Sequence, residues 1–183
     1  YQPVPFQFSL HVMTSPGTSP VHRSFLAAGT SDPRSAFLTA LRGALPGTGS
    51  VVVYNQSFEK GILTACATAF PEDANWIERI LPRVVDLLAP FSAFHYYNPR
   101  QRGSASLKRV LPALTGRGYD HLTISDGLAA GRAYLYAYFG ELYGMTITEK
   151  EREQIRRDLS AYCGLDTEGM IWIVRELEKL SSG

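Results

Sequence analysis

VVVYNQSFEKG, residues 51–61, is the stretch of sequence that decides the fold. Three successive valines before Tyr54 make a short apolar run between turn signals, which is the pattern of a buried parallel strand. A helix is predicted to begin a few residues later, with Glu59 in its first turn or two. Because open α/β sheets bind ligands at the carboxyl ends of their strands, this junction is the first candidate functional site.

The sequence around this junction predicts an alternation of strands and helices. Residues 4–13 and 21–28 are rich in apolar residues and flank the turn sequence TSPGTSP, so they predict an antiparallel pair. Residues 83–88 predict another short strand, and the aromatic-rich segment 89–105 is predicted as a loop. Helices are predicted over 33–45, 57–69, 73–81, 106–114, 125–140 and 148–180, the last bent or broken at Gly164.

The order of these elements predicts an α/β fold in which one mixed sheet is flanked by helices. This arrangement suits a ribonuclease-H-like fold that lacks its usual first strand. At 183 residues the chain fits a single domain, 1–183. A hydrophobic content of 45% and a charged content of 19% exclude the disordered and collagen classes, and no apolar run approaches the roughly 18 residues of a membrane span.

The cysteines indicate the redox environment of the chain, and its first residues indicate whether it belongs to a longer protein. Cys66 and Cys163 form neither a disulfide framework nor a CxxC metal knuckle, so a reducing, cytoplasmic setting is predicted. The chain begins at Tyr1 without Met or a charged leader, and we therefore expect a segment of a longer protein. The strings typical of P-loop, dinucleotide-binding and hydrolase-elbow sites do not occur, which argues against those three classes.

Glu59 has two interpretations from its spacing alone. As a carboxylate at the edge of a sheet, it is a candidate ligand for Mg²⁺, a hard cation that takes oxygen ligands. As an acid in the first turn of a helix, it would stabilise the helix dipole. Asp86 is equally ambiguous, because it either faces the carboxyl edge of the sheet or caps the following turn.

Two further pairs of residues are candidates for the same chemistry. Tyr162 and Asp166 are four positions apart, so on a helix they share one face, where the acid could bind a metal while the phenol orients a water. His121 and Asp126 have the H-x4-D spacing and offer a general base and a metal ligand. The alternatives are an exposed Asp beside a packed Tyr, and a helix N-cap formed by Ser125 or Asp126, of which the cap is favoured.

Charge is uneven along the chain, although 18 Lys and Arg nearly balance 17 Asp and Glu. No acid lies between Asp86 and Asp120, and basic residues are interleaved with aromatic ones there. This composition suits phosphate contacts and base stacking on a single strand, whereas the alternative is a loop of core aromatics and solvated arginines. The candidate nucleic-acid-binding residues are Arg100, Arg102, Lys108, Arg109, Tyr96 and Tyr97.

Several of these strings resemble known motifs. VVVYNQSFE resembles the second motif of the DEDD 3′–5′ exonuclease superfamily, HN-x-x-FD, with Asn55 and Phe58 matching and Glu59 in place of Asp. GSASLKRVLPAL resembles the superfamily's SLK-x-L helix, YCGLD its Y-x3-D third motif, and HLTISD the spacing of its His-bearing subgroup. Together with YQPVPFQFSLH and SDG, these strings resemble, over nearly the whole chain, an uncharacterised bacterial domain family of the ribonuclease-H-like clan.

The resemblance implies metal-dependent removal of nucleotides from a 3′ end, with two Mg²⁺ or Mn²⁺ ions clamping the attacking water and the leaving oxygen. Glu59 and Asp166 would be metal ligands, and Tyr162 would orient the water. Asn55 would belong to the catalytic motif, and the basic segment would guide single-stranded DNA or RNA. Relatives also occur as the tail of longer proteins with another nuclease-like domain, which implies such an upstream partner.

One departure from the superfamily pattern changes the expected activity. The superfamily takes an Asp and a Glu from its first strand, as D-x-E, and residues 1–28 contain no such motif. We therefore expect this chain to be inactive or very weak as a nuclease. The missing strand would lie between the second strand and SVVVY, which predicts pairing with a second copy or an atypical closure of the sheet. The alternative function is a non-catalytic nucleic-acid-binding or protein-interaction module on the same fold.

Overall fold

The computed structural model describes residues 3–181, so Tyr1 and Gln2 of the string YQPVPFQFSLH lie outside the described residues. The strands within this range are β1 (Gln7–Val12), β2 (Val21–Leu26), β3 (Val51–Val53) and β4 (Val84–Asp86). The helices are α1 (Arg34–Ala44), α2 (Gln56–Ala69), α3 (Pro71–Ile80), α4 (Ala89–Ser92), α5 (Leu107–Thr115), α6 (Gly127–Phe139) and α7 (Glu149–Ser181). None of these helices combines the length and the apolar character needed to cross a membrane.

The first two strands form the predicted antiparallel pair. Their register aligns Gln7 with Leu26 and Val12 with Val21, so every residue of β1 has a partner in β2. The connection between them turns at Gly17, whose φ of 81° lies in the left-handed region that glycine adopts without strain. Helix α1 follows the pair and packs against both strands.

The third and fourth strands form a parallel pair, as the apolar run at 50–54 predicts. Val51 aligns with Val84, and the ladder continues past the strand end, where the Leu87 N–H donates to the Val53 carbonyl at 2.8 Å. The prediction of full burial is wrong, because the aligned Val52 and Val85 are 40% and 50% exposed. Strands of three residues place alternate side chains on opposite faces, and only one face of this pair is covered.

The mixed α/β class is confirmed, but the strands do not form one mixed sheet. In the described part of the chain, β1 pairs with β2 and β3 pairs with β4, giving two separate two-stranded sheets. The order of strands along a sequence restricts topology, yet it does not determine which edges meet in hydrogen bonds. The single-sheet prediction is therefore corrected for residues 3–181.

The described chain divides into two compact units. The antiparallel unit comprises residues 5–45 and 119–167 and contains β1 and β2. The parallel unit comprises residues 46–118, the chain from residue 168 onward and the few residues before Pro5, and it contains β3 and β4. Helix α7 contributes to both units because their boundary falls within it.

Each unit has its own buried apolar residues. In the antiparallel unit, Leu159 and Tyr134 belong to one buried cluster, and the Phe6 ring stacks on that of Tyr134 with centroids 4.1 Å apart. In the parallel unit, the largest fully buried side chains include Phe91 and Leu111. Burial of such side chains is the main favourable contribution to folding, so each unit has the core that a compact body requires.

Helix α7 differs from its prediction at one position. The sequence predicts a bend or break at Gly164, whereas the helix continues through this residue to Ser181. A glycine inside a helix costs about 1 kcal/mol relative to alanine, an amount that the packing of a long amphipathic helix readily offsets. The helix is therefore not broken at Gly164, and a bend there stays a prediction.

The segment 89–105, predicted as a loop, contains the single-turn helix α4 and a 3₁₀ turn at Pro99–Gln101. A capping box fixes this turn. The Arg100 N–H donates to the Asn98 side chain at 2.9 Å, and the Asn98 N–H donates to the Gln101 side chain at 2.8 Å. The segment is thus more ordered than its composition indicates.

Candidate functional site

The carboxyl ends of β3 and β4 are joined by the side chain of Asp86. Its carboxylate accepts hydrogen bonds from the backbone N–H groups of Asn55 at 2.9 Å, Gln56 at 3.1 Å and Leu88 at 3.0 Å. Asn55 is the N-cap of α2, and its φ of 78° lies in the left-handed region. Asp86 therefore caps its own turn and, at the same time, supplies the negative charge at the start of α2.

Glu59 lies in the first turn of α2 beside this carboxylate. Its Oε2 atom is buried and has no hydrogen-bond partner within the described residues. Burial raises the pKa of Glu59 to about 7, and the negative charge of Asp86 adds to the rise. A buried acceptor without a partner costs free energy, so this carboxyl is a group whose surroundings favour a proton or a cation.

Tyr54 and Asn55 precede Glu59 and align with the first two positions of the motif HN-x-x-FD. The Tyr54 hydroxyl donates to the Ala105 carbonyl at 2.6 Å, which ties the end of β3 to the segment before α5. Burial, with the charge of Asp86, raises the pKa of Tyr54, so this phenol stays protonated. The Asn55 side chain is exposed and makes no capping hydrogen bond to the described part of α2.

Asp166 and Tyr162 lie close together in the antiparallel unit, with a third residue, Tyr119. The Tyr119 hydroxyl donates to Asp166 Oδ1 at 2.6 Å, and the same carboxylate interacts electrostatically with Tyr162. Burial raises the pKa of Tyr162, and the charges of Asp166 and Asp126 raise it further. Both acids that the two third-motif spacings single out therefore lie near Tyr162.

Asp126 acts as a helix cap. It is the N-cap of α6, and its side chain accepts a hydrogen bond from the Ala129 N–H at 2.7 Å. The favoured cap interpretation is confirmed for Asp126. His121 lies in the preceding turn and is exposed.

The basic segment of the parallel unit presents five exposed cations, four of which are candidate nucleic-acid-binding residues. Arg100 and Arg102 lie on or next to the 3₁₀ turn, and Lys108 and Arg109 lie in the first turn of α5. No ion pair involves any of these four in residues 3–181. Arg117 differs from them, because its guanidinium lies 4.4 Å from the ring centroid of Trp172.

The two tyrosines assigned to this segment have different surroundings. Tyr96 is half-buried and contacts the buried Phe91 edge to face, with centroids 5.9 Å apart. Tyr97 is exposed, and its hydroxyl accepts a hydrogen bond from the Gly103 N–H at 3.0 Å. Tyr96 is therefore a packing residue, whereas the ring of Tyr97 is accessible.

The candidate residues fall into two groups. Glu59, Asp86 and Asn55 belong to the parallel unit, whereas Asp166, Tyr162 and Asp126 belong to the antiparallel unit. Neither group, nor any other set among residues 3–181, brings together three or more His, Cys, Asp or Glu side chains able to hold a metal ion.

Sequence reasoning missed Tyr119 and, although it counted Phe94 among the aromatic residues of the basic segment, did not select Phe94 as a binding residue. Tyr119, which donates to Asp166, lies 47 positions away, and no spacing rule connects the two. Phe94 is strongly exposed and has a left-handed φ of 57°. The aromatic and acid-free composition of its segment is the only signal that could have indicated it.

The fold and these two groups define a mixed α/β protein with a buried carboxyl at the end of a parallel strand pair. Residues 1–106 match the family model described as a domain of unknown function, DUF2779, and the chain belongs to that family. The chain matches no curated protein and no solved structure.

Proposed function

We propose that this chain is a nucleic-acid-binding domain of the ribonuclease-H-like, 3′–5′ exonuclease type. In this proposal Glu59 is the acid of the second motif, and the basic segment guides a single strand toward it. The observation that carries the proposal is the buried, unpartnered Oε2 of Glu59 at the carboxyl end of β3. Ligands of α/β proteins bind at that position of a sheet.

The donors around Glu59 suit a hard divalent cation in kind but not in number. Glu59 offers a carboxylate oxygen, the ligand that Mg²⁺ and Mn²⁺ favour. The neighbouring Asp86 already accepts three backbone hydrogen bonds, and the Asp166 carboxylate accepts one from Tyr119. The two-metal set of the complete superfamily site does not fit these residues, and we derive no hydrolytic step from them.

From this shortage of ligands we infer that the chain binds single-stranded nucleic acid without hydrolysing it efficiently. The basic residues that support binding are exposed and unpaired, whereas the acids that hydrolysis needs are occupied or too few. Binding and catalysis are therefore separable in this chain.

The test uses the whole chain and a 5′-labelled single-stranded oligonucleotide, incubated with Mn²⁺ or with a chelator. We expect Mn²⁺ to tighten binding several-fold for the native chain and not for Glu59→Gln, with no more than trace shortening of the oligonucleotide. Glu78→Gln, which changes an exposed acid of α3, is the control and should respond to Mn²⁺ as the native chain does. If Mn²⁺ affects the native chain and Glu59→Gln equally, the assignment of Glu59 is wrong.

A non-catalytic module on the same fold is the second candidate function, and one observation favours it. Asp126 caps α6 and Asp86 caps α2, so two acids of the candidate set have structural roles that explain them without a metal. This candidate predicts nucleic-acid binding that is unaffected by Mn²⁺. Robust cleavage that depends on Glu59 would exclude this second candidate. It would also contradict the proposal that the chain does not hydrolyse nucleic acid efficiently.

The two short sheets have edges at which another chain could pair. Within residues 3–181, β1 pairs only with β2 and β3 only with β4, so each sheet keeps two edges that no described strand covers. An uncovered edge can pair with another chain, and we propose a second copy as its occupant. Light scattering of the purified chain tests this; a monomer at all accessible concentrations would contradict it.

A further inference from the structure

The acid-free segment of the parallel unit carries an aromatic ring that faces solvent on a strained backbone. Phe94 is 69% exposed, and its φ of 57° lies in the left-handed region. A left-handed backbone is uncommon for a large apolar residue and is found where surrounding structure enforces it. The exposed Phe94 ring therefore sits on a defined turn, where it is accessible to a ligand.

Backbone hydrogen bonds define the turn that carries Phe94. Phe91, at the end of α4, is 1% exposed and anchors the turn in the core. The N–H groups of His95 and Tyr96 both donate to the Pro90 carbonyl, at 2.9 and 3.2 Å, and close the chain around Phe94. These bonds fix the left-handed backbone that carries the exposed Phe94 ring.

A second exposed ring lies beside the first. The centroids of Phe94 and Tyr97 are 5.8 Å apart, with their planes tilted by 46°. Tyr97 is 43% exposed, and the hydrogen bond from Gly103 to its hydroxyl fixes the position of the ring. The two rings form a small aromatic surface, which we call the Phe94–Tyr97 platform.

Positive charge continues from the platform along the chain. Arg100 and Arg102 follow within eight positions of Phe94, and the capping box of Asn98 fixes the turn that carries them. Arg102 is the second residue of the segment in the left-handed region, with φ of 53°. Residues 87–119 include no Asp or Glu to neutralise these cations.

We propose that the Phe94–Tyr97 platform is a base-stacking site for single-stranded nucleic acid, with Arg100 and Arg102 contacting its phosphates. The proposal rests on the proposed function for the class of ligand, and it assigns the position and the mode of contact. Bases of a single strand present π faces that an exposed ring can cover, whereas a duplex hides them. Charge favours this occupant over a protein, because the phosphates of a strand would give the exposed Arg100 and Arg102, unpaired within residues 3–181, partners of opposite sign in a segment that has no acid.

This assignment separates the aromatic residues of the segment by role. Phe94 and Tyr97 stack on bases, whereas Tyr96 packs against Phe91 and supports the turn. Because every base has a π face, the site tolerates different sequences. The arginines then account for most of the salt dependence of binding.

The experiment measures fluorescence anisotropy of a labelled oligothymidine of about 20 nucleotides, long enough to span several stacking positions. The chain is whole and a chelator is present, so hydrolysis does not contribute. We expect Phe94→Ala to weaken binding about tenfold, and Phe94→Trp to bind at least as tightly as the native chain. The control is Tyr143→Ala, which removes a ring that is 79% exposed in the antiparallel unit, and it should change the affinity less than about twofold.

Phe94→Leu keeps the apolar bulk and removes the ring, which guards against an effect of folding. Thermal unfolding should place all three Phe94 variants close to the native stability, because the side chain is 69% exposed. Arg102→Gln should reduce the dependence of binding on salt.

The outcomes separate the two proposals. If the native chain does not bind the oligonucleotide, the proposed function fails. If it binds and Phe94→Ala and Phe94→Leu bind equally well, the platform is wrong while the proposed function stands. Equal affinity for the duplex of the same length also overturns the platform, because stacking requires unpaired bases.

Discussion

Glu59 and Asp86 stand at the same end of the β3–β4 pair, with opposite contributions to the fold. Asp86 accepts three backbone hydrogen bonds, whereas the buried Oε2 of Glu59 accepts none from the described residues. Burial and the charge of Asp86 raise the pKa of Glu59 to about 7. One carboxylate therefore stabilises the junction while its neighbour destabilises it whenever ionised.

The first prediction concerns the pH dependence of stability through Glu59. Its pKa is about 7 in the folded chain against an ordinary 4.5, so the folded state binds more protons between these values. The free energy of unfolding attributable to Glu59 therefore falls as pH rises through this window. Between pH 4.5 and pH 8, the free energy of unfolding of Glu59→Gln should rise by on the order of 1 kcal/mol relative to that of the native chain. This value includes a reduction for solvent screening, because Glu59 is half-buried.

Urea unfolding at several pH values measures this difference. Glu78→Gln serves as the matched control, because Glu78 is an exposed acid in the same unit. A constant difference between Glu59→Gln and the native chain across the window would contradict the raised pKa.

The second prediction concerns Asp86→Asn. The amide offers one acceptor oxygen in place of two, so at least one of the three backbone N–H groups loses its partner, and we expect a loss of about 2 kcal/mol. The substitution also removes the charge beside Glu59, so the pKa of Glu59 should fall. The pH range over which ionisation of Glu59 lowers the free energy of unfolding should then narrow. Chemical denaturation checks both effects, and Asp120→Asn, at an exposed position, should leave both unchanged.

The third prediction compares two glycines of α7. A Cβ on Gly169 would lie 2.8 Å from Leu111 Cδ2, and Leu111 is fully buried, so Gly169→Ala should destabilise the parallel unit by about 1–2 kcal/mol. A Cβ on Gly164 would meet nothing closer than 3.9 Å, so Gly164→Ala should stabilise by about 0.5–1 kcal/mol through helix propensity. Thermal melts of the two variants should shift in opposite directions; equal shifts would contradict this packing.

The fourth prediction concerns the hydrogen bond from Tyr119 to Asp166. Tyr119→Phe keeps the ring and removes the donor from a half-buried carboxylate, so we expect a loss of about 1.5 kcal/mol. Tyr143→Phe removes the same hydroxyl from a strongly exposed ring and should have no measurable effect. Unfolding curves of both variants provide the measurement, and an unchanged Tyr119→Phe would mean that water replaces the bond at no cost.

The positions of the elements could be predicted because apolar spacing along the chain reports burial. Helix α2 and strand β3 begin within one residue of their predicted starts, since the change from a continuous apolar run to a helical period is local information. The two strand pairs could also be predicted, β1–β2 from the turn between the strands and β3–β4 from their short apolar runs. Whether the two pairs join into one sheet depends on which edges meet in space, and neither β2 nor β3 carries a local signal for that.

The candidate site was predictable in part for the same reason. The cap formed by Asp126 follows from its position before a helical run, and the structure confirms it. The burial of Glu59 and the bond between Tyr119 and Asp166 arise from tertiary packing, which spacing along the chain does not encode. The left-handed backbone of Phe94 is likewise enforced by hydrogen bonds around Pro90 that composition cannot indicate.

The three backbone N–H groups that Asp86 binds should become accessible to solvent in a single cooperative event. The N–H groups of Asn55, Gln56 and Leu88 belong to two segments about thirty positions apart, yet they share a single acceptor group. Rotation of that one side chain would release all three protons to solvent together. Their hydrogen exchange should therefore report one opening event, with a shared rate and a shared dependence on denaturant.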